Sequence, residues 1–373
     1  MKILFIVQGE GRGHLTQAIS MAQILRKEGH ELVGVLVGKS EHRSLPEFFQ
    51  RRMCVPIETF ESPNFLPTSH GHPAGLLKSI SYNILHLSRF WKSIRFIHSY
   101  IRNSQADLVI NFYELLTGFT YALHRPSVPM VCVAHQYIFL HPDYEFPPEN
   151  PISLFLLRLF TRMTAIGSKR KLALSIRPMK DVAEENMRVV PPLLRDEVFH
   201  TEVSAGDYLH GYLLNSGFRA ELEQWHQQAG NERLEIFWDQ SALRVDKTLR
   251  YHALDDQKFL DYLGGCKGYL TTAGFESVCE AVYLGKPIFM VPTHIEQRCN
   301  AYDAALHGIG YSADEFNLSG FDTYISRYTP LNSYREWIYQ GNAYIASELE
   351  FLLQSLYSRD DQAFYATHAM WVK

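Results

Sequence analysis

Residues 269–301 constrain the fold of this chain more than any other stretch of its sequence. The stretch opens with a short β-prone run and a turn of small residues, and helical spacing of apolar side chains follows over 276–284. Gly285 is typical of a helix end. The continuous apolar run 288–291 indicates a strand buried on both faces of a parallel sheet. The polar residues after it are expected to form a loop.

The turn before the predicted helix has the physical features of an anion site. A helix that begins at a turn of small residues points free N–H groups and a positive dipole end at a bound anion, and Gly274 would allow close approach. Glu280 could accept a hydrogen bond from a ribose, and Glu296 with Gln297 could bind sugar hydroxyls. An ordinary βαβ unit without a ligand is the alternative.

The order of these residues resembles the nucleotide-sugar signature of GT-B glycosyltransferases, as seen in families 1 and 28. The shared features are the small-Gly turn, Ser277, Glu280-Ala281, Gly285-x-Pro287, Pro292, Glu296-Gln297 and Asn300-Ala301. The chain departs from the pattern at Thr272, where plant family 1 sequences often have His. Glu276 and Glu296 replace the common Asn and Asp. Without the His, backbone N–H groups and Ser277 would have to bind the diphosphate.

A second phosphate-friendly turn is expected at 215–217, after a strand that opens the second half of the chain. Together with this turn, the resemblance implies a donor-binding site. Its expected residues are Gly13, Asn215, Ser216, Gly217, Thr272, Ala273, Gly274, Ser277, Glu280, Glu296, Gln297 and Asn300.

The N-terminus repeats the strand, turn and helix pattern. A buried strand at 2–7 leads into a Gly-rich turn and a helix over 15–28, which is the start of a Rossmann-like half. NAD binding is disfavoured because no acidic residue ends the next strand. In GT-B enzymes a turn of this kind delivers a His to the cleft, so the resemblance implies that His14 is the general base for the acceptor hydroxyl. A His that only lines the helix start is the alternative.

Three further residues are candidates for the cleft. Many family 1 enzymes have an Asp that orients the catalytic His, and the aligned position here is Asn111. Glu114 is a candidate substitute for that Asp. His135 follows a predicted strand at 130–133, at the end where open α/β sheets collect ligands. A structural role for His135 is equally open.

The chain of 373 residues is long enough for two domains. We predict an α/β protein of the GT-B class, with two Rossmann-like domains facing across a cleft. The acceptor-side domain is expected at 1–195, the nucleotide-sugar domain at 206–330, and C-terminal helices that pack back on the first domain at 331–373. Residues 152–174 are predicted to form a pair of amphipathic helices.

The five cysteines are scattered without a CxxC pair, which argues against a disulfide framework or a zinc site and indicates a reducing compartment. The N-terminus is too short and Gly-rich for a signal peptide, and no apolar run approaches the ~20 residues of a membrane span. We therefore expect a cytoplasmic protein. The resemblance implies that no metal is needed, and no DxD-type pair falls in a predicted cleft loop. We also expect no tightly bound cofactor.

Basic residues are unevenly distributed. The windows 62–106 and 151–180 contain no Asp or Glu but hold twelve of the 36 Lys and Arg residues. Aromatic residues interleave with them: Phe90, Trp91, Phe96, Phe155 and Phe160. One hypothesis is a peripheral surface for the inner, anionic face of a membrane, and the alternative is an ordinary solvated basic face. No nucleic-acid partner is expected.

Together with His14 and the two turns, the resemblance implies a hexosyltransferase that uses a nucleoside-diphosphate sugar, expected to be UDP-linked, as co-substrate. The resemblance implies inversion at the anomeric carbon and an acceptor hydroxyl on a glycan, a lipid-linked sugar or a small molecule. A sugar-nucleotide epimerase or hydrolase on the same fold is one alternative. A non-catalytic nucleotide-sugar-binding protein is the other, and Asn111 in place of an Asp favours it.

Overall fold

Two mostly parallel sheets organise the chain. The computed structural model describes residues 1–40, 44–63, 87–213, 217–229, 232–238 and 240–368. The first sheet lies in the N-terminal half of the chain and the second in the C-terminal half, and helices cover both faces of each. This is the layered arrangement expected when strands alternate with helices.

Within the described residues, the first sheet has seven strands in the order β3-β2-β1-β4-β5-β6-β7, and every neighbouring pair is parallel. The strands are β1 (Lys2–Gln8), β2 (Glu31–Lys39), β3 (Ile57–Glu61), β4 (Leu108–Phe112), β5 (Met130–Ala134), β6 (Arg170–Leu174) and β7 (Met187–Val190). The strand order reverses between β1 and β4. Ligands of open α/β sheets bind outside the carboxyl ends of the strands at such a switch point.

Helices on the two faces of this sheet bury two separate apolar clusters. On one face lie α1 (Arg12–Lys27) and α2 (Glu47–Met53). On the other face lie α3 (Leu87–Asn103), α4 (Leu115–His124) and α5 (Pro151–Thr164). A 3-10 turn, His135–Leu140, follows β5. Strands buried on both faces explain the continuous apolar runs of β1, β4 and β5.

The second sheet has the order β10-β11-β9-β8-β12-β13-β14 in the described part of the chain, and all pairs are parallel except β10 with β11. Its strands are β8 (Tyr208–Leu213), β9 (Arg233–Trp238), β10 (Leu243–Arg244), β11 (Leu249–Ala253), β12 (Gly268–Thr271), β13 (Ile288–Met290) and β14 (Tyr311–Ser312). Its switch point lies between β8 and β12.

The helices of the second half follow the same strand–helix alternation. They are α6 (Asp196–Phe199), α7 (Gly217–Ala229), α8 (Asp256–Gly265), α9 (Phe275–Tyr283), α10 (Ile295–Leu306), α11 (Phe321–Arg327), α12 (Asn332–Tyr339) and α13 (Gly341–His368). The last helix leaves the second sheet. Ile345, Leu349 and Leu352 on α13 are buried in the same cluster as Ile3 on β1, so the C-terminus of the chain packs on the first sheet.

Two elements differ from the sequence-based expectations. The predicted polar loop after β13 is the start of a helix, because α10 begins at Ile295. Its polar side chains concealed the helix, since Asn300 and Asp303 lie on its buried face with Cys299. The second half of the predicted helix pair is the strand β6, because Gly167, with φ +80°, ends the turn after α5. Among the described helices, none combines the length and the apolar character needed to cross a membrane.

Candidate active site

The two switch points face each other, and each presents the N-terminus of a helix. Helix α1 starts after Gly11 and α9 starts after Gly274, and neither cap residue makes a side-chain hydrogen bond to the helix. A Cβ atom at Gly13 would lie 3.6 Å from Cγ of Glu276, which shows how closely the two turns approach. Two helix ends with free N–H groups therefore meet at the seam between the sheets.

His14 lies in the first turn of α1 and is 7% exposed. Its Nδ1 lies 3.3 Å from Oε1 of Gln17, and its Nε2 lies 3.4 Å from Nε2 of Gln136. The Tyr113 ring stacks on it with centroids 5.4 Å apart. Burial lowers the pKa of His14 to about 4, against the opposing effect of the Gln17 hydrogen bond. The imidazole is therefore neutral and retains a basic lone pair at physiological pH.

Gln136 connects His14 to the second sheet. Its Nε2 donates to Oε1 of Glu296 at 2.9 Å, in the first turn of α10. Burial raises the pKa of Glu296 to about 7, and the Gln136 hydrogen bond opposes that rise. Oε1 of Gln136 is buried without a hydrogen-bond partner. A buried amide oxygen without a partner is uncommon in a folded protein.

Asn111 and Glu114 do not take the place of the Asp expected beside His14. The Asn111 amide donates to the backbone oxygens of Thr164 at 2.9 Å and of Glu114 at 3.2 Å. The Glu114 carboxylate caps α4 through Leu116 N and accepts from Ser62 Oγ at 2.6 Å. Burial raises the pKa of Glu114 to about 7. Both residues brace the end of β4, and the partner of His14 Nδ1 is Gln17 on its own helix.

His135 bridges the two halves of the molecule. Its Nδ1 lies 3.1 Å from Leu174 O and its Nε2 lies 2.6 Å from Oδ1 of Asn300, while Phe275 stacks on the ring at 3.8 Å. Burial lowers the pKa of His135. The Nε2 contact of His135 at 2.6 Å is much shorter than the 3.4 Å contact at His14 Nε2, so His135 is less available than His14 to take a proton from a substrate.

The turn before α9 is built from a strained alanine and an open glycine. Ala273, fully buried, has φ +64°, a left-handed conformation that is costly for a residue with a Cβ and that occurs at functional sites. The space beside Gly274 is open, since a Cβ there would come only within 3.7 Å of Ser277 Oγ. Ser277 Oγ itself donates to Gly274 O. The turn thus leaves room over the start of α9.

The other expected donor residues lie around this turn. Gln297 Nε2 donates to Thr272 Oγ1 at 3.1 Å, and its Oε1 accepts from Thr293, so the side chain is held within the loop. Asn300 Nδ2 donates to Ala273 O at 3.2 Å and supports the strained residue. Gly217 begins α7. Asn215 and Ser216 lie outside the described residues.

Glu280 has a partner that the sequence analysis missed. Its two carboxylate oxygens accept from Arg195 Nε at 2.8 Å and Nη2 at 3.2 Å, and both side chains are largely buried. Arg195 Nη1 also lies 3.8 Å from Asp256, which pairs with Arg12 of α1 at 3.0 Å. A charged network therefore connects α1 to α8 and α9. In this structure both Glu280 oxygens accept hydrogen bonds from Arg195, whereas the sequence-based prediction assigned them to a ribose hydroxyl.

Gln17, Gln136, Glu276 and Arg195 are the site residues that sequence reasoning did not select. Gln17 stands three residues after His14, a spacing that places two side chains on one helix face, so its proximity was predictable. Arg195 and Gln136 reach the site only through the packing of separate elements.

Two Rossmann-like sheets whose carboxyl-terminal edges meet around these side chains define a GT-B glycosyltransferase. The family model described as glycosyl transferase family 1 matches residues 1–329. The chain belongs to that family, and it is a glycosyltransferase. This result favours the transferase prediction over the epimerase, hydrolase and non-catalytic alternatives. The comparison with curated protein sequences found no match.

Solved structures of glycosyltransferases share this fold. The glycotransferase of kitacinnamycin is 13% identical with a TM-score of 0.63, over 94% of this chain and 98% of that one. The calicheamicin glycosyltransferase CalG4 is 14% identical with a TM-score of 0.61, over the same shares. UGT2 of Phytolacca americana, solved with UDP-2-fluoro-glucose and pterostilbene, is 13% identical with a TM-score of 0.59, over 96% and 98%. At these identities the likeness establishes the fold.

Proposed function

We propose that this enzyme transfers a hexose from a UDP-sugar to an acceptor hydroxyl with inversion, and that His14 is the general base. The observation that carries the proposal is the position of His14. It is a neutral imidazole in the seam, with Nδ1 held by Gln17 and Nε2 turned toward Gln136, whose amide also bonds Glu296 of the opposite half. A neutral imidazole that is fixed in orientation can accept a proton from a hydroxyl, with less driving force than a base whose pKa lies near the working pH.

In the proposed reaction Nε2 of His14 takes the proton as the acceptor oxygen attacks the anomeric carbon. The bond from the anomeric carbon to the phosphate oxygen breaks on the opposite side, which inverts the configuration. The negative charge that develops on the diphosphate would face the uncapped N-terminus of α9. Free N–H groups aimed at a developing charge stabilise a transition state without reorganisation.

The donor would bind along α9 and the first turn of α10. Glu296 and Gln297 would contact the sugar, and Glu280 would contact the ribose once Arg195 has moved away from it. The uridine base is proposed because the structural neighbour UGT2 holds a UDP-sugar analogue. We further propose that no metal is required, so excess chelator should leave the rate unchanged.

The test is a thermal-shift screen of nucleoside-diphosphate sugars, followed by product analysis with an acceptor extract. A ligand present at a hundred times its dissociation constant should add roughly 2.7 kcal/mol of stability. UDP-sugars are expected to give the largest shifts, and mass spectrometry should show one hexose added to an acceptor. Preference for another base would refute the UDP assignment, and rapid conversion of donor to free sugar without acceptor would contradict the transferase reaction.

We also propose that an outer helical face docks the first sheet on an anionic membrane. This face consists of Trp91, Lys92, Arg95, Leu123, Arg125, Ile152, Phe155 and Leu159. The apolar members are between 38% and 67% exposed although they are large. They lie on α3, α4 and α5, which pack side by side on one face of the sheet. Exposed apolar patches edged by basic residues are typical of interaction sites.

Some of the basic residues counted in the sequence do not contribute to this face. Arg162 and Lys171 pair with Glu185, and Arg177 pairs with Asp303. Residues 64–86 of the first acid-free window lie outside the described residues. The electrostatic attraction would therefore come from fewer than twelve charges, each contributing on the order of 1 kcal/mol near an anionic surface.

Co-sedimentation with vesicles tests the membrane proposal. Binding to vesicles rich in phosphatidylglycerol is expected at low salt and should weaken at high salt, because salt screens exposed charges. Phe155→Glu should reduce binding, while Phe351→Glu, at a 59% exposed position on α13, is the matched control. Absence of binding at low salt would end this proposal and would favour a water-soluble acceptor.

A further inference from the structure

We propose that Gln17 and Glu276 are positioning residues that hold His14 in its base-competent tautomer, and that they do so only when the two halves of the molecule are together. This inference rests on the proposed role of His14 as the base. The Gln17 amide and the Glu276 carboxyl come from opposite sides of the seam. Together they would orient His14, which a single Asp was expected to do.

The first step is the contact between His14 and Gln17. They lie three residues apart on one face of α1, and Gln17 is only 2% exposed. Gln17 Oε1 lies 3.3 Å from His14 Nδ1. If this oxygen faces the ring, it accepts a hydrogen bond from Nδ1–H, and the lone pair of a neutral imidazole is then on Nε2.

The second step is the orientation of the Gln17 amide. Its Nε2 donates to Oε1 of Glu276 at 2.7 Å, so its oxygen must point the other way, toward His14. The other Glu276 oxygen is buried without a hydrogen-bond partner, so it can carry the proton while Oε1 continues to accept. Burial raises the pKa of Glu276 to about 8. Glu276 can therefore orient the amide whether or not it is ionised.

An independent contact agrees with this tautomer. The amide nitrogen of Gln136 lies 3.4 Å from His14 Nε2, and the same nitrogen donates to Glu296 at 2.9 Å. An NH₂ group has two hydrogens, so it can satisfy both acceptors at once. The Gln136 N–H would point at the lone pair of Nε2, where the acceptor hydroxyl must displace it for the reaction to proceed.

The coupling between the two halves follows from the chain positions. Gln17 lies on α1 of the first sheet, whereas Glu276 lies in the first turn of α9 on the second sheet. If the halves separate, the carboxyl leaves the amide, and Gln17 is free to turn its NH₂ group toward Nδ1. That orientation favours the other tautomer, in which Nε2 carries the proton and cannot act as a base.

The experiment compares four variants for turnover and for donor affinity. Gln17→Leu should lower kcat about tenfold to a hundredfold, the scale of a misplaced catalytic group, with the donor dissociation constant within about twofold of wild type. The double variant Gln17→Glu with Glu276→Gln reverses the hydrogen-bonding pair and should restore most of kcat. Gln23→Leu, on the same helix, is the matched control and should leave kcat unchanged. His14→Ala is measured in parallel.

The outcomes separate this inference from the proposed function. Wild-type kcat in Gln17→Leu with an inactive His14→Ala would overturn the positioning role alone. Wild-type kcat in His14→Ala would overturn the base assignment itself. If Gln17→Leu is slow and the double variant is equally slow although folded with a normal melting temperature, orientation through the pair is wrong. A purely structural role for Gln17 would lower the melting temperature and would not be rescued by the exchange.

Discussion

The turn before α1 and the turn before α9 are built alike and carry opposite chemistry. Each follows a strand at a switch point and leads into a helix without a side-chain cap. The first presents an imidazole, His14, and the second presents a carboxyl, Glu276. Burial lowers the pKa of His14 to about 4 and raises that of Glu276 to about 8. The same desolvation therefore makes both groups neutral near pH 7.

This difference shows how the seam can remain available to an anionic ligand. An ionised carboxylate at the start of α9 would neutralise the positive end of that helix, but protonated Glu276 would not. A protonated His14 would be unable to act as a base, but the neutral ring can. The ion pairs Arg195–Glu280 and Arg12–Asp256 form a charged flank of the seam that joins α1 to α8 and α9. Substitutions at His14, at Glu276 and in the charged flank separate the effects of the two neutral groups from those of the ion pairs.

The largest effect is expected at the charged flank. Glu280→Ala leaves Arg195 buried without its bidentate partner, and such a loss costs about 3–5 kcal/mol of unfolding free energy. If Glu280 also binds the ribose, the variant should bind donor more weakly by about 1–3 kcal/mol. Arg195→Ala should be similarly unstable but should not bind donor more weakly, because it frees Glu280. Denaturant titration and calorimetry on folded protein measure both quantities, and equal loss of affinity in the two variants would contradict a competing role for Arg195.

The next effect is expected at the first turn. His14→Ala should reduce kcat by about a hundredfold or more, the scale of a missing general base, while donor affinity is largely kept. His30→Ala, a partly exposed histidine just beyond the end of α1, is the control. Steady-state kinetics and donor calorimetry provide the comparison. Wild-type turnover in His14→Ala would show that another residue is the general base, and His135 would be the next candidate.

The pH profile of kcat/KM tests the neutral state of His14. The active form of His14 is the unprotonated ring, so kcat/KM should fall as the pH drops through the folded pKa of about 4. We expect no acid limb from His14 between pH 7 and pH 5.5. A different result would be an acid limb centred near 6.5, the ordinary pKa of histidine, that is present in wild type and absent in His14→Ala. Such a limb would show that burial does not lower the pKa of His14.

The smallest effect concerns the neutral state of Glu276. The folded pKa of Glu276, about 8, lies above its ordinary value of 4.5, so the folded protein holds this proton more tightly than the unfolded chain does. The free energy of unfolding therefore falls as the pH rises from about 4.5 to about 8. Glu276→Gln should therefore stabilise the protein at pH 8.5 relative to wild type, by on the order of 1–2 kcal/mol after allowance for its partial exposure. At pH 4, where both states hold the proton, the difference should vanish. Thermal melts at the two pH values measure it, and a stabilisation that is independent of pH would argue against a buried acid.

Much of the fold followed from sequence periodicity. The buried runs of β1, β5 and β13, the apolar spacing of α9 and the helix end at Gly285 were all readable, because burial imposes spacing on a strand or a helix. The start of α10 was missed because Asn300 and Asp303 are polar and yet face inward, where His135 and Arg177 bond them. Strand β6 was missed because a short apolar run after basic residues fits either element.

The sequence by itself determined the two glycine-containing turns, the histidine of the first and the ordered acidic and amide residues of the second, since these depend on neighbours along the chain. Only the tertiary structure decided the partners of these side chains. Gln17 rather than Asn111 or Glu114 holds His14, Arg195 holds Glu280, and Gln136 reaches Glu296 from the 3-10 turn after β5. A hydrogen bond or an ion pair acts over about 3 Å, and which groups come that close is set by how separate elements pack, which periodicity along one chain does not record.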